Sequence, residues 1–254
     1  MYQKFFSIIT ISKDNLDGLE KTHKSVSSQS FPDYEWIVID GGSDDGSKSY
    51  LEVTDAIWVS ENDAGIYDAM NKGIEKSSGV YLIFMNAGDR FASNDILSEI
   101  AGQIVEMEDS PDFIYGDALE EINRKKKYKA ARPYIKSSLG LFTHHQAMFY
   151  NKNAIGNIRY NSDFKVAGDY DFTLKVLESS PRVLYCPFPI CIYEAGGFSQ
   201  KNMRLGRKEQ FKIRHDQGRV SNGVNKAIYV RQSIAAFIRI LFPPLYWLIK
   251  KLNY

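Results

Sequence analysis

Apolar positions in this chain gather into four short runs, Phe5–Thr10, Glu35–Asp40, Ala56–Ser60 and Val80–Asn86, each of which stops at a polar turn. Runs of this length bounded by turn signals predict buried strands. After the third run, Ile66, Ala69, Met70, Gly73 and Ile74 recur at i, i+3, i+4, i+7 and i+8, which predicts an amphipathic helix over 64–77 with Asp63 as its N-cap. Strands alternating with helices imply βαβ units that feed a largely parallel sheet. From Asp112 the pattern changes: a run Phe113–Asp117, a basic hairpin-like stretch Arg124–Arg132 and an apolar run Ala147–Tyr150 predict mixed strands and loops. Helical spacing returns over 169–179 through Tyr170, Leu174 and Leu177, and a strand follows at Val183–Cys186.

The last segment reads differently. Ile228, Val230, Ile234, Phe237, Ile238, Ile240, Leu241 and Phe242 are interrupted by Arg231 and Arg239, Pro243-Pro244 breaks any helix, and Leu245–Ile249 ends in Lys250-Lys251. Its uncharged stretch, 240–249, is about half of the roughly 20 residues that span a bilayer. Aromatic residues and a basic rim suit an interfacial helix pair on an anionic leaflet; a terminal helix packed on the domain is the plainer alternative.

Composition narrows the picture without deciding it. The 254 residues carry 32 Lys and Arg against 31 Asp and Glu, a formal charge of +1, so no overall field favours nucleic acid as a partner. Carboxylates concentrate in the first half, and a basic stretch runs from Arg204 to Arg219. The N-terminus enters a strand-like run within a few residues, with no signal-peptide pattern, which points to a cytoplasmic protein. Cys186 and Cys191, an odd number of residues apart in an extended segment, are expected on opposite faces, reduced, buried and without a disulfide.

The chemistry lies in the turns. Asp40–Ser47, Glu61–Gly65 and Asn86–Asp89 bring carboxylates to the carboxyl ends of the strands, where ligands of open α/β sheets bind. Crowded carboxylates repel, so they imply a bound cation or a donor-rich ligand, and the setting is that of a nucleotide site.

Eight segments in order resemble the family-2 glycosyltransferases of the GT-A fold: Ser7–Ser12, Trp36–Gly46, Ser60–Gly73, Phe84–Asp89, Tyr115–Asp117, His144–Phe149, Gly168–Asp171 and Gly196–Ser199. Within that family the chain is most similar to the colanic-acid type of exopolysaccharide enzyme. The resemblance implies an α/β GT-A fold with a mixed, mostly parallel central sheet flanked by helices. It covers roughly residues 5–200 and implies a catalytic domain at 1–200, with a nucleotide-binding half at about 1–111 and an acceptor half at about 112–200; residues 201–254 are expected to form a basic, amphipathic helical extension. It further implies an inverting, metal-dependent transferase that moves a sugar from a nucleotide-diphosphate sugar, UDP favoured, to a lipid-linked or oligosaccharide acceptor of bacterial surface polysaccharide, working at the inner face of the cell membrane. A degenerate sugar-nucleotide-binding module is the alternative. A sugar-nucleotide pyrophosphorylase fits less well, because Thr10–Asp14 is not a glycine-rich, basic phosphate loop.

Residue by residue, the resemblance makes Asp40 the reader of the nucleobase, although the family often carries a second Asp where this chain has Gly41. Thr10, Asp63, Lys72 and Asn86 join Asp40 on the donor. For Asp63 a helix cap and a nucleoside contact are compatible; for Asp44 and Asp45 a plain turn role is preferred, and for Lys72 a solvated position. Asn86–Asp89 stands where the family holds Mn2+ or Mg2+ with Asp-x-Asp, so Asp89 is the expected metal ligand, assisted by Asn86. Asp169 aligns with the catalytic carboxylate, with Asp171 as the fallback. His145, Gln146 and Asp117 are expected at the acceptor.

Overall fold

The computed structural model describes residues 3–179 and 182–242. The four apolar runs form the strands β1 (Phe6–Ser12), β2 (Tyr34–Asp40), β3 (Ile57–Ser60) and β4 (Tyr81–Phe84), joined by α1 (Leu16–Ser27), α2 (Ser47–Leu51) and α3 (Ile66–Lys76). They lie parallel in the order β3-β2-β1-β4. Registers Ser12↔Asp40 and Asp40↔Ser60 make β1, β2 and β3 end level, so their polar turns open on one edge. The runs are continuously apolar because helices cover both faces: Phe6, Ile8 and Ile83 face one buried cluster, and Ile9, Ile37 and Phe84 the other.

Helix α3 begins later than the spacing predicts. Its cap is Gly65, and the Asp63 carboxylate accepts from the Gly65 amide at 2.9 Å in a turn ahead of it. Asp68 reaches back to the Ala64 amide at 3.0 Å and supplies the charge at the helix start that the sequence assigns to Asp63.

After β5 (Arg90–Phe91) and α4 (Ile96–Val105) the sheet continues with β6 (Phe113–Ile122), β7 (Lys125–Lys129), β8 (Met148–Asn151) and β9 (Val183–Glu194), giving nine strands among the described residues in the order β3-β2-β1-β4-β8-β6-β9-β5, with β7 beside β6. β8 is antiparallel to both β4 and β6, while β9 is parallel to β6. The basic stretch is a hairpin whose two-residue tip, Asn123-Arg124, has φ of 50° and 62°, the left-handed pair that such a tight turn requires.

One register detail corrects the cysteine geometry. Gly116 pairs with Cys186 and Ala118 with Cys191, because a bulge around Pro187–Pro189 adds residues to β9 opposite Asp117. Partners two apart on β6 share a face, so both thiols enter one core cluster, free and buried, instead of pointing apart.

The helices α5 (Lys152–Ile155), α6 (Gly168–Ser179), α7 (Phe198–Lys201), α8 (Met203–Asp216) and α9 (Asn222–Leu241) complete the chain. α8 packs on α9 through Phe211 against Tyr229 and through Arg214, whose Nε donates to Asn225 Oδ1 at 2.7 Å. No helix among the described residues is long and apolar enough to cross a membrane. The expectations for Pro243-Pro244, Leu245–Ile249 and Lys250-Lys251 lie outside the described residues.

Candidate active site

The level strand ends open on a cavity of about 650 Å3 whose walls include Ile11, Ser12, Lys13, Asp63 and Tyr67. Two glycines shape this rim. A Cβ on Gly41 would lie 2.8 Å from Asp63 Oδ2, so a side chain at the position where the family often carries a second Asp would make the Asp63 carboxylate shift. Gly42 has φ of +76°, which turns the chain sharply under Asn62. Asp40 itself is fully buried, and its carboxylate accepts from the Ser43 amide at 2.9 Å, Ser43 Oγ at 2.5 Å and Ser60 Oγ at 2.6 Å. It anchors the turn and keeps one lone-pair position of about four. Asp45 is likewise a turn anchor, accepting from the Leu16 and Ser47 amides at 2.7 and 3.1 Å; the Ser47 hydroxyl bond leads in holding its pKa below the usual value.

Asn86–Asp89 borders a second cavity of about 520 Å3, shared with Gln146 and Glu194. Burial pushes the Asp89 carboxyl up to about 8, opposed by a hydrogen bond from Gln146 and by Arg90, and reinforced by Glu194. Asn86 Oδ1 and Gln146 Oε1 are buried without a hydrogen-bond partner. Oxygen atoms without donors beside an acidic group match the ligand chemistry of a hard divalent cation. Among the described residues no three His, Cys, Asp or Glu side chains form a ready metal cluster. The set therefore fits a cation that completes its shell with diphosphate and water oxygens.

A third cavity, of about 340 Å3, joins the others: it shares Tyr67 with the first and Asn86, His144 and Gln146 with the second, and it contains Asp169. Asp169 occupies the first turn of α6, where its Oδ1 accepts from the Tyr170 amide at 2.8 Å. Burial pushes its carboxyl up to about 7, and the charge of Glu209 adds to the rise. The Tyr67 ring lies so close to Gly168 that a Cβ there would come within 2.7 Å of it, which ties α3 to the base of Asp169.

Glu209, on α8, is a residue that the sequence reading missed. Its carboxylate accepts from the amides of Lys165, Val166 and Ala167 at 2.9, 2.9 and 2.8 Å, fixing the loop that leads into α6. Nothing local marks it, because its partners lie more than forty positions earlier. Asp171, the fallback base, is 4 % exposed and is held by Lys175 at 2.6 Å and Gln217 at 2.7 Å, on the α8 side of the helix.

Several expected site residues have partners within the protein. Thr10 is buried in β1, donating to the Met85 carbonyl at 2.8 Å and accepting from the Trp36 indole at 2.9 Å. Lys72 is tied to Glu61 at 2.7 Å and Asp68 at 3.5 Å. Asp117 accepts from the Tyr128 hydroxyl, the Ala131 amide at 2.7 Å and the Tyr185 hydroxyl at 2.9 Å, three bonds that hold the bulged β6 to its neighbours. His145–Ala147 is a 3-10 turn ahead of β8. His145 touches the joining cavity, yet its Nε2 bonds the Tyr160 hydroxyl at 2.9 Å, its ring stacks on Phe84, and burial lowers its pKa to about 3. His144 is the one between the second and third cavities, stacked on Tyr193 at 3.6 Å with a buried Nδ1 that has no partner.

The profile of Glycosyl transferase family 2 matches residues 7–168. An uncharacterised glycosyltransferase of Mycobacterium tuberculosis is 34 % identical over 203 residues, covering 75 % of each chain. A PGL/p-HBAD biosynthesis glycosyltransferase of Mycobacterium bovis is 31 % identical over 211 residues, covering 78 % of this chain and 80 % of its own. Among solved structures, Staphylococcus aureus TarS in complex with UDP-GlcNAc superposes with a TM-score of 0.70 at 14 % identity, over 90 % of this chain and 71 % of that one. The mannosyltransferase PcManGT of Pyrobaculum calidifontis, in complex with GDP-Man and Mn2+, gives 0.66 at 13 % identity, over 99 % and 80 %. These two show the same GT-A architecture. The chain belongs to glycosyltransferase family 2.

Proposed function

We propose that this protein is an inverting, metal-dependent hexosyl-type transferase that moves a sugar from a UDP-sugar to a lipid-linked or oligosaccharide acceptor in bacterial surface polysaccharide assembly. One observation carries the reading: a single cavity is lined both by Asn86, whose amide oxygen is buried without a partner, and by Asp169. The nucleoside lies in the cavity beside Lys13 and Asp63, and Asp89 with Asn86 holds the divalent cation that offsets the charge of the diphosphate when bound. Asp169 takes the proton from the acceptor hydroxyl as its oxygen attacks the anomeric carbon; the bond from that carbon to the diphosphate breaks, and its electron pair leaves with the diphosphate. Attack opposite the leaving group inverts the centre. A carboxyl poised near 7 suits this exchange, because it is substantially ionised at neutral pH yet basic enough to hold the proton.

The named relatives support the acceptor class, since one of them acts in PGL/p-HBAD biosynthesis and a shorter match, of Bacillus subtilis, bears the name of teichuronic acid biosynthesis. Two neighbours with UDP-GlcNAc and with GDP-Man and Mn2+ support the donor class and the cation. The exposed apolar side chains of α9 support a peripheral contact with the inner face of the cell membrane. The test is a panel of UDP- and GDP-sugars incubated with the protein and Mn2+, read as slow donor hydrolysis. Hydrolysis of a UDP-sugar is expected; no binding or hydrolysis of any donor overturns the reading.

A further inference from the structure

The third cavity, of about 340 Å3, is lined mostly by apolar and neutral polar side chains. His144, Gln146 and Asn86 line both it and the second cavity, beside Asp89. Each of the three has one polar atom buried without a hydrogen-bond partner: His144 Nδ1, Gln146 Oε1 and Asn86 Oδ1. Leaving such atoms unpaired is costly, so three of them at one seam imply a ligand that pairs with them. The His144 ring is held by its stack on Tyr193, and Gln146 is 6 % exposed, so neither side chain is turned to bulk water.

The charges around this seam are one-sided. Among the described residues, Asp169 is the one charged side chain that lines the third cavity. Burial lowers the pKa of His144 to about 4 and that of His145 to about 3, so both imidazoles are neutral. The second cavity is lined by the acids Asp17, Asp89 and Glu194 and, among the described residues, by one cation, Lys21, which bonds Glu194 at 3.2 Å. Cations close by are also engaged: Arg90 pairs with Glu121, and Lys129 with Glu120 at 2.7 Å. Arg207 and Arg239 line a neighbouring cavity and not this one. A divalent cation beside Asp89 is neutralised by the diphosphate that it holds. A carboxylate on a ligand in the seam would therefore be desolvated near Asp169 with no cation to offset it. Hydroxyl and acetamido groups escape this penalty, because a neutral imidazole keeps one donor and one acceptor nitrogen and an amide oxygen accepts from a hydroxyl.

In the reading above, the diphosphate lies beside Asp89 and the acceptor hydroxyl at Asp169, so the sugar ring that links them occupies the seam. Resting on that reading, we propose that the transferred sugar is uncharged, a hexose or N-acetylhexosamine and not a uronic acid, and that His144 and Gln146 hold its hydroxyls. The third cavity is at the small end of ligand cavities, in keeping with a single ring. His144 is then a specificity residue for the donor sugar, distinct from the base and from the cation's ligands.

The experiment measures binding to the full chain in Mn2+ for matched pairs that differ at carbon 6 alone: UDP-glucose, UDP-galactose, UDP-N-acetylglucosamine and GDP-mannose, each with its uronate, against UDP and GDP. In the pair that binds best, the uncharged member is expected to bind at least about tenfold more tightly than the uronate, the scale of one unpaired charge. His144→Ala should cut the tightening that the sugar adds over the bare diphosphate by about fivefold or more, with affinity for the bare diphosphate unchanged, and His144→Gln should keep part of it. Ser199 is exposed and lines the third cavity, so Ser199→Lys should narrow the gap within a pair by about fivefold. Should His144→Ala fail to fold, seen as loss of the bare diphosphate as well, His144→Gln and Ser199→Lys give the reading. A uronate that binds as tightly as its uncharged partner overturns the inference, and so does a gap that Ser199→Lys leaves unchanged. A sugar contribution untouched by the His144 variants overturns the role of His144. Binding of UDP or GDP without discrimination in any pair sinks this inference alone, whereas a wild type that binds neither diphosphate sinks the transferase reading and this inference with it.

Discussion

Ser12, Asp40 and Ser60 stand level on three neighbouring parallel strands, so the wall proposed for the donor is assembled by sheet register alone, each turn following directly from its own strand. The wall proposed for the acceptor has no such shortcut: Leu141, Asp169, Ser199 and Met203 come from separate segments that packing brings together. A wall made of strand ends tolerates change poorly in its turns, and a wall made of packed helices depends on the contacts behind it. The carboxylates show the difference. Asp40 and Asp45 are held in place by their own turns, whereas Asp169 relies on Glu209, forty positions away, to set the loop beneath it.

The strongest way to break this comparison is at Asp169. Asp169→Asn is expected to lower transfer by at least about a hundredfold, the scale of a lost general base, with nucleoside-diphosphate affinity nearly unchanged. Asp171→Asn should retain transfer within a few-fold, since its carboxylate serves Lys175 and Gln217. Steady-state rates of both variants decide the matter, and equal losses would make the base assignment untenable.

Next in size is the donor wall. Asp89→Ala is expected to weaken nucleoside-diphosphate binding by about tenfold or more in Mn2+, with little loss of fold, because much of the cation's shell comes from substrate and water. Calorimetric titration with and without the cation reads this directly. Transfer that persists undiminished in excess EDTA rules out the metal-dependent reading.

These expectations also mark how much the chain disclosed in advance. The four strands, their order of appearance and the turns at their ends were legible, since a buried parallel strand is a run and its ligand turn is adjacent in sequence. The helix over 169–179 was legible for the same local reason. What escaped depended on partners distant in sequence: Glu209 under the Asp169 loop, the bulge that swings Cys191 to the face of Cys186, and the place of His144, instead of His145, between the cavities. Thr10 and Asp117 entered the expected site through the family resemblance, and the chain alone did not show what they bond to. Their donors and acceptors, Trp36, Met85, Tyr128 and Tyr185, are long-range neighbours that no pattern marks.

A smaller effect sharpens the role of Glu209. Its charge raises the pKa of Asp169, so removing it lowers that pKa. Transfer should rise with pH through an apparent value near 7 in the wild type, as Asp169 loses its proton. In Glu209→Gln the same limb should move to lower pH, together with a few-fold loss in rate from the loosened loop. A variant that loses rate with no shift of the limb would show that Glu209 acts on geometry alone.

The smallest expected effect contrasts the two walls by stability. Asp169 has a folded pKa of about 7 against an ordinary value of 3.8, so its ionisation opposes folding: stability is highest below the unfolded value and is lost as pH rises towards 7. Asp45 has the opposite sign. Its folded pKa is lowered, chiefly by the Ser47 hydroxyl, so its contribution is present above the unfolded value and disappears as pH falls through the folded one. Asp169→Asn should therefore raise Tm by a few degrees at pH 8 and by much less at pH 4, while Asp45→Asn lowers Tm at both pH values and converges on the wild type only below the lowered folded pKa. Thermal unfolding of both variants at the two pH values reads the signs. The same sign in both would mean that the acceptor-side carboxylate is held by its surroundings as firmly as the donor-side one, and the contrast between a self-anchored wall and a wall that depends on its packing would fail.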